Sequence, residues 1–287
     1  MAQNMNINII CSDNGWVYDD IINQIKTHSR HTILRNSDEK CDITHFLPYY
    51  EVPKVIATPS TAFMSHQEST NPLKSKFVSA AASVNTAISM SEKYTKLLTS
   101  KGLTNIKQVT PGIDVDFFKT RGQINKRGGK LVAGYIGRQY SSTTRKNPSL
   151  LQKIGDLPFV ELRSTNGDLS KDEMPGFYQD LDVVVCPAKI EGGPMAIQEG
   201  LSSGVPVICL KNVGMASEYN FGVIQARSTR HFLKLIKKLY TSEEHIHYWN
   251  NPTVMEKMKD QVKHQTWKLF AQKHDDIWES ICNSTQS

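Results

Sequence analysis

The chain has 287 residues, a length that suits two domains of roughly 100–150 residues, each able to bury its own core. Hydrophobic residues make up 39% and charged residues 22%, which is ordinary for a soluble globular protein, and the apolar runs are far shorter than the roughly 20 residues that cross a bilayer. The five cysteines are scattered and lack metal-binding spacing, which favours reduced core thiols. The first residues lack a basic-then-apolar signal, so we expect a cytoplasmic enzyme without a transmembrane segment.

The first part of the chain predicts a parallel α/β unit. Residues 7–11 form an apolar strand, and the turn at 12–16 leads into a helix over 17–27 whose apolar residues lie on one face. Gly15 would let the turn backbone approach a ligand, and a plain turn explains it equally well. The polar residues 60–73 are predicted as a loop at the carboxyl end of the sheet, where ligands bind in open α/β folds. The other predicted elements are strands at 32–34, 43–47, 54–57 and 86–89, and helices at 76–83 and 92–101.

A stretch of linker composition separates the two parts of the chain. Glycines lie there among Lys126, Arg127 and Lys130, which favours an exposed connection. The predicted limits are a first domain over 1–118, a linker over 119–130, a second domain over 131–265 and a C-terminal helix over 266–287.

The second part also alternates strands and helices. An apolar strand over 131–136 is followed by Arg138 and a polar loop that ends at Lys146. Asn147 and Pro148 then have the residue types of a helix N-cap and first helical position. The other predicted elements are strands at 159–162, 181–186, 205–210 and 222–224, and helices at 172–181, 194–203, 232–239 and 266–282.

The stretch from the strand at 181–186 onward carries the strongest functional signal. The strand ends in a glycine turn, and Pro194 is pre-shaped for the first position of a helix that Gly204 ends. Such a turn makes an anion site, because unpaired N–H groups and the positive end of the helix dipole meet there. Glu191 and Glu199 frame the site, and carboxylates beside a phosphate suit sugar or ribose hydroxyls, which donate hydrogen bonds. The pattern therefore predicts a bound nucleotide sugar. The alternative is an ordinary strand-turn-helix with two surface acids.

The same residues resemble a known family. Glu191 and Glu199 form a Glu-x7-Glu motif within Glu-Gly-Gly-Pro, followed by Gly-Val-Pro-Val-Ile, and this is similar to the retaining glycosyltransferases of family 4. The resemblance implies an α/β protein with two Rossmann-like domains facing each other across a cleft, the GT-B fold, and a C-terminal helix that crosses back to the first domain. It covers most of 131–282 with specific motifs, and 7–118 only in outline.

The resemblance also implies roles for single residues. In the family, Gly-Arg followed by a Lys before a helix clamps the pyrophosphate, which implies that role for Arg138 and Lys146. Glu191 would hold the transferred sugar and Glu199 the ribose hydroxyls. The first domain normally adds a polar residue, often His, and His66 is the candidate here, with a plain surface residue as the alternative. The implied donor-binding residues are Gly15, Arg138, Lys146, Glu191, Gly192, Gly193, Pro194, Met195 and Glu199.

The implied reaction moves a hexosyl or pentosyl group from a UDP- or GDP-sugar to an acceptor hydroxyl with retention of configuration. The predicted phosphate-binding loops contain no Asp-x-Asp pair that would hold a divalent ion between diphosphate and protein, so we expect no metal and no other cofactor. The net charge of +6, with Lys and Arg concentrated in 119–130, favours a glycan, a lipid-linked glycan or a modified nucleic acid as acceptor, with peripheral contact to an anionic surface. The alternative is that the excess positive charge only attracts the donor's phosphates and keeps the protein soluble. A nucleotide-sugar epimerase and a non-catalytic sugar-nucleotide-binding subunit remain open.

Overall fold

The structure is a computed structural model that describes residues 4–13, 16–122, 129–138, 144–211 and 213–285. The chain divides into two compact units, of which the first is Met1–Gly112 with Gln265–Ser287 and the second is Ile113–His264. The predicted domain limits stay predictions, and residues 123–128 of the predicted linker lie outside the described residues.

The helices and strands are numbered in chain order. The elements from the start of the chain to residue 108 are β1 (Asn6–Ile10), α1 (Trp16–His28), β2 (Thr32–Arg35), β3 (Ile43–Phe46), β4 (Ser60–Met64), α2 (Leu73–Ser83), β5 (Thr86–Ser89), α3 (Glu92–Ser100) and β6 (Ile106–Gln108). The following elements are β7 (Leu131–Tyr135), α4 (Pro148–Gly155), β8 (Val160–Ser164), α5 (Met174–Gln179), β9 (Val183–Cys186), α6 (Met195–Ser202), β10 (Val207–Leu210), β11 (Val223–Ala226), α7 (Thr229–Thr241), α8 (Glu243–Trp249), α9 (Pro252–Asp260) and α10 (Trp267–Thr285).

Each unit contains one parallel sheet. The six strands of the first sheet have the order β2-β1-β3-β4-β5-β6, and the five strands of the second have the order β11-β10-β9-β7-β8. The strand order reverses between β1 and β3 in the first sheet and between β7 and β9 in the second. Ligands of open α/β sheets bind at such reversal points, beyond the carboxyl ends of the strands. The predicted α/β class with two Rossmann-like units is confirmed.

The fourth strand of the first sheet lies later in the chain than predicted. The predicted strand over 54–57 is wrong, because that stretch is irregular and Val55 is 82% exposed. The strand is instead β4, inside the predicted polar loop. Its polar residues are buried and bonded: Ser60 N donates to Asn85 Oδ1 over 2.9 Å, and Thr61 Oγ1 accepts from Trp278 Nε1 over 3.1 Å. Buried partners of this kind are distant in sequence and leave no local pattern.

Helix α10 packs on the first unit, as predicted. The Asp275 carboxylate accepts from Ser29 Oγ at 2.6 Å and from the backbone N–H of Arg30 at 3.0 Å, while the guanidinium of Arg30 pairs with Asp276 and Glu279 at 2.7 Å each. These contacts hold the middle of α10 against the two residues that follow α1. The predicted return of the C-terminal helix to the first domain is confirmed.

Two histidines are buried where α10 covers the first sheet. The rings of His45 on β3 and His274 on α10 are fully buried and meet edge to face, with centroids 5.4 Å apart. His45 Nδ1 shares a hydrogen bond of 2.8 Å with Thr61 Oγ1, and His274 Nδ1 donates to the carbonyl of Phe270 at 2.9 Å. Burial lowers the pKa of His45 well below its usual value and that of His274 to about 4. Both rings are therefore neutral in the folded protein at pH 7.

The second unit contains elements that the sequence pattern did not predict. Helices α8 and α9 are new, and α9 begins at Pro252 behind Asn251, whose side chain accepts from the N–H of Thr253 at 2.9 Å. The helix predicted over 172–181 is divided into a 3₁₀ turn over Lys171–Glu173 and α5. Helix α6 ends as predicted, with Gly204 at a φ of +67°.

Arg121 is a buried cation of the second unit. Its side chain donates to the carbonyls of Gly204 at 2.8 Å, Trp249 at 2.9 Å and Gly122 at 3.1 Å, which ties the segment before β7 to the ends of α6 and α8. Burial lowers the pKa of Arg121 to about 10, so the group stays charged at pH 7.

The five cysteines are free thiols, of which Cys11, Cys186 and Cys209 are buried as predicted, whereas Cys41 and Cys282 are half-buried. Cys186 and Cys209 are register neighbours on β9 and β10, and burial raises the pKa of both thiols, that of Cys209 to about 12.

Among the described residues, no helix has the combined length and hydropathy that a membrane crossing needs.

Candidate functional site

The candidate site lies at the carboxyl ends of β7 and β9, where the strand order of the second sheet reverses. The loop after β7 contains Arg138, Arg145 and Lys146, and the loop after β9 contains Glu191. Parallel pairing of β7 with β9 places the two loops at the same sheet edge. The fold thus brings together residues that are more than forty positions apart.

Glu191 is bound by two cations. Lys146 Nζ donates a hydrogen bond to Glu191 Oε2, and Arg145 Nη1 donates to the same oxygen at 3.0 Å. The three side chains are between 10% and 17% exposed, so water screens these ion pairs less than it screens pairs on an open surface. The predicted phosphate-binding Lys146 and the predicted sugar-binding Glu191 are direct partners.

Backbone contacts fix the two loops against each other. The N–H of Lys189 donates to the carbonyl of Arg145 at 2.8 Å, and Arg145 Nη1 also donates to the carbonyl of Ile190 at 3.2 Å. Asn147 Nδ2 donates to the carbonyl of Pro187 at 3.0 Å. Asn147 is the N-cap of α4 as predicted, but its backbone is left-handed with a φ of 58°, and its side chain makes no cap hydrogen bond to a backbone N–H of α4. Its Oδ1 instead accepts from Ser149 Oγ at 3.2 Å.

The glycine turn carries Glu191 to the start of α6. Gly192 and Gly193 are buried, while Pro194 and Met195 are half-buried. The carbonyl of Glu191 accepts from the N–H of Gly214 at 2.9 Å, which anchors the turn to the segment after β10. Pro194 is the N-cap and not the first helical residue as predicted, because its ψ of 126° is extended. Of the first-turn N–H groups of α6, that of Ile197 donates to the carbonyl of Pro194 at 3.0 Å, while those of Met195 and Ala196 precede every helical acceptor, so this end of α6 suits an anion.

Glu199 lies on α6 and is held by a tyrosine. The hydroxyl of Tyr178 donates to Glu199 Oε2 at 2.5 Å. Tyr178 is fully buried, whereas Glu199 is half-buried. Burial and the Glu199 charge raise the pKa of Tyr178 well above its usual value, so the phenol stays protonated and acts as the donor.

Arg138 follows β7 and is exposed. Among the described residues it makes no hydrogen bond or ion pair within the protein. The Arg138 side chain packs directly against Gly167. A Cβ added at Gly167 would lie 2.8 Å from Cγ and Nε of Arg138. Gly137 N donates to Thr165 Oγ1 at 3.3 Å, so the turn after β8 supports the segment that holds Arg138. An exposed guanidinium at this edge is available to an anionic ligand.

The remaining predicted residues belong to the first unit. His66 follows β4 by two residues, is 13% exposed, and shares hydrogen bonds with Glu68 Oε1 at 2.9 Å and with Ser65 Oγ at 3.3 Å. It lies past the carboxyl end of a strand, and its catalytic role stays a prediction. Gly15 lies outside the described residues. No group of three or more His, Cys, Asp or Glu that could hold a metal is found in the described part of the chain.

Two residues of the site were missed by the sequence analysis. Arg145 directly precedes Lys146, and a second adjacent cation is a signal that could have identified it. Tyr178 lies in a short helix without any motif, and only the fold places it beside Glu199. The arrangement combines several cations with two half-buried carboxylates at one sheet edge, which suits a ligand that carries both phosphate and hydroxyl groups.

One stretch of the second unit matches a known protein family. Residues 165–253 match the family described as "Glycosyl transferases group 1", and this stretch contains α5, β9, α6, β10 and both Glu191 and Glu199. No curated protein matches the chain with significance. The family match supports glycosyl transfer.

Comparison with solved structures supports the GT-B fold for the whole chain. A sucrose-phosphate synthase from Thermosynechococcus elongatus is similar at a TM-score of 0.74 with 10% identity, covering 98% of this chain and 100% of that one. Anabaena HepE in complex with UDP and glucose gives 0.72 with 11% identity, covering 96% and 100%. A S. aureus TarM variant in complex with fondaparinux, alpha-GlcNAc-glycerol and UDP gives 0.64 with 14% identity, covering 82% of this chain and 55% of TarM. The chain thus spans little more than half of TarM, and at such identities the likeness shows the fold alone.

Proposed function

We propose that this protein is a retaining glycosyltransferase that moves a hexosyl or pentosyl group from a UDP- or GDP-sugar to an acceptor hydroxyl. The observation that carries the proposal is the cluster of Arg145, Lys146 and Glu191 at the strand-order reversal, beside the first turn of α6. The group 1 match to the same stretch and the GT-B neighbours, one of which binds UDP and glucose, support it.

The donor's phosphates are the anionic part of the ligand. Arg138, Lys146 and the N-terminus of α6 neutralise the charge that builds up on the terminal phosphate as the sugar leaves. Because Arg145 also bonds Glu191, it keeps that carboxylate in place when Lys146 turns to the phosphate. These fixed positive groups supply the charge that a divalent ion would otherwise supply, so we propose a metal-independent reaction.

The bond changes balance without a cofactor. The acceptor oxygen attacks the anomeric carbon from the face that the leaving group occupies, the bond from that carbon to the phosphate oxygen breaks, and the departing phosphate accepts the acceptor's proton. Glu191, with Gly192 and Gly193, contacts the transferred sugar, Glu199 binds the ribose hydroxyls, and Gly15 and His66 keep the donor-binding and catalytic roles that the resemblance implies. The two carboxylates thus bind different parts of the donor.

The acceptor is proposed to be a hydroxyl of a glycan, a lipid-linked glycan or a modified nucleic acid. The net charge of +6 supports an anionic or surface-bound acceptor. The outer face of α7 adds a stripe of exposed cations. These are Arg230, Lys234, Lys237 and Lys238. Titration with anionic vesicles and with duplex DNA at low and moderate salt tests this, because such attraction weakens as salt rises. Absence of binding to both at low salt leaves a neutral glycan or a small acceptor.

The function is tested by following nucleotide release from UDP- and GDP-sugars with and without candidate acceptors. Release that depends on an acceptor and yields a glycosylated product supports the transferase. Conversion of the donor to a sugar epimer without release identifies an epimerase, and binding without any turnover identifies a non-catalytic subunit. The same assay in excess EDTA tests metal independence: activity that is lost there and restored only by magnesium or manganese contradicts it.

A further inference from the structure

The hydrogen bond between Tyr178 and Glu199 joins two helices of the second unit. Tyr178 lies on α5 and Glu199 on α6, and the phenol O–H points at one carboxylate oxygen over 2.5 Å. A hydrogen bond to a charged acceptor is shorter and stronger than a neutral one. The contact therefore fixes the direction of the Glu199 carboxylate.

The phenol itself cannot move far. The ring of Tyr178 is fully buried, and its edges meet the rings of Phe118 at 5.6 Å and Phe177 at 6.0 Å between centroids. Close packing leaves a buried ring one orientation. Glu199, in contrast, is half-buried, so part of its side chain is accessible. A rigid donor thus holds a carboxylate that a ligand can contact.

We propose that Tyr178 is a positioning residue that sets the Glu199 carboxylate for the hydroxyls of the donor's ribose. The inference rests on the proposed function and extends it to a residue outside the Glu-x7-Glu motif. A carboxylate fixed through one oxygen loses little rotational freedom when it accepts hydrogen bonds from two neighbouring hydroxyls. Without the phenol O–H, Glu199 loses one of the contacts that order its carboxylate, and ribose recognition weakens.

The experiment compares a nucleotide with its 2′-deoxy counterpart. The dissociation constants of UDP and 2′-deoxy-UDP, or of GDP and 2′-deoxy-GDP if the wild type prefers guanine, are measured by calorimetry for wild type, Tyr178→Phe, Glu199→Gln and the double variant. We expect the wild type to bind the ribonucleotide more tightly than the 2′-deoxynucleotide. In Tyr178→Phe the ratio of the two dissociation constants should be reduced roughly tenfold. The double variant should be no worse than Glu199→Gln, because Tyr178 acts through Glu199. Tyr240→Phe on α7 removes the same atom outside the site and should retain the full preference.

The possible failures are distinguishable. If Tyr178→Phe weakens both nucleotides equally, or if its effect adds to that of Glu199→Gln, Tyr178 is structural and the inference is overturned alone. If Glu199→Gln leaves ribose preference intact, or if the wild type binds none of the nucleotides, the proposed donor site fails and the inference fails with it. Urea unfolding of each variant shows whether a lost preference reflects lost folding.

Discussion

Lys146 donates a hydrogen bond from Nζ to Glu191 Oε2, although the two residues lie 45 positions apart. The family resemblance implies roles for them at different parts of the donor, Lys146 at the phosphate and Glu191 at the sugar. In the structure each is the partner of the other, and Arg145 bonds the same oxygen. In the proposed donor complex these contacts are redistributed, since the lysine cannot keep its full contact with Glu191 while it neutralises a phosphate.

Lys146→Ala should lower turnover strongly while the protein stays folded. The lost phosphate contact is charge-assisted, and such contacts are worth about 1.5–3 kcal/mol, or roughly tenfold to more than a hundredfold in kcat/KM. Glu191 retains Arg145, so the free energy of unfolding should change by less than in Arg145→Ala. Steady-state kinetics and urea unfolding of both variants check this. Unchanged turnover in Lys146→Ala, and likewise in Arg138→Ala, contradicts the proposed clamp.

Glu199→Gln and Glu191→Gln should affect different kinetic constants. A ribose contact is the same in ground and transition states, so Glu199→Gln should mainly raise KM for the donor. Glu191 is assigned to the moving sugar, so Glu191→Gln should mainly lower kcat. Equal effects of both variants on KM alone contradict this assignment of roles.

Gly167→Ala should reproduce part of the effect of Arg138→Ala. A Cβ at this position would lie 2.8 Å from Arg138, and the backbone φ of +86° is strained for alanine by roughly 1 kcal/mol. Arg138 must then leave its place beside the turn, which should weaken donor binding severalfold. Gly102→Ala, where the φ is +83° and a Cβ would meet nothing within 4 Å, is the matched control for the backbone strain. Equal donor affinity of the two variants argues against the role of Gly167.

The protein should lose stability between pH 6.5 and pH 4 because His45 and His274 are buried as neutral rings. Their folded pKa values are depressed, so the unfolded chain binds more protons below its histidine pKa of about 6.5, and stability falls with pH until the folded pKa is reached. For His274, whose folded pKa is about 4, the free energy of unfolding falls by about 1.4 kcal/mol per pH unit over this range. The total loss from this residue is roughly 3 kcal/mol.

Urea unfolding at a series of pH values measures this slope. His274→Phe keeps an aromatic ring on α10 and removes the titrating group, so its slope should be shallower whatever its stability at pH 7. The exposed His247, changed to Gln, serves as the control and should leave the slope as it is. A wild-type curve that is flat from pH 7 to pH 4.5 rules out the proposed contribution of the buried pair.

Arg121→Met should destabilise the second unit by about 3 kcal/mol. The substitution keeps much of the buried volume but leaves three carbonyls, those of Gly122, Gly204 and Trp249, without their donor, and each buried unsatisfied group costs about 1–3 kcal/mol. The exposed Arg227, changed to Met, should alter the free energy of unfolding by less than about 0.5 kcal/mol. Equal unfolding midpoints of the two variants contradict the structural role of Arg121.

The sequence predicts features that depend on local patterns. The strand, the glycine turn, helix α6 and its end at Gly204 follow from residue types alone, and so do the two carboxylates of the motif. Strand β4 was missed because Ser60 and Thr61 look exposed until their partners on other elements are known. Tyr178 was missed for the same reason, since it becomes meaningful only through a carboxylate more than twenty positions away, whereas Arg145 was missed although it directly precedes Lys146.

The position of α10 has a consequence for the order in which the protein folds during synthesis. The second unit is one continuous stretch, so it can complete its core as soon as residue 264 has left the ribosome. The first unit is synthesised earlier but stays incomplete, because α10 is needed to cover its sheet. Trp278 on α10 contacts both Thr61 and His45. Until then this face of the nascent sheet is uncovered, and we expect it to be the surface on which chaperones act and from which misfolding begins.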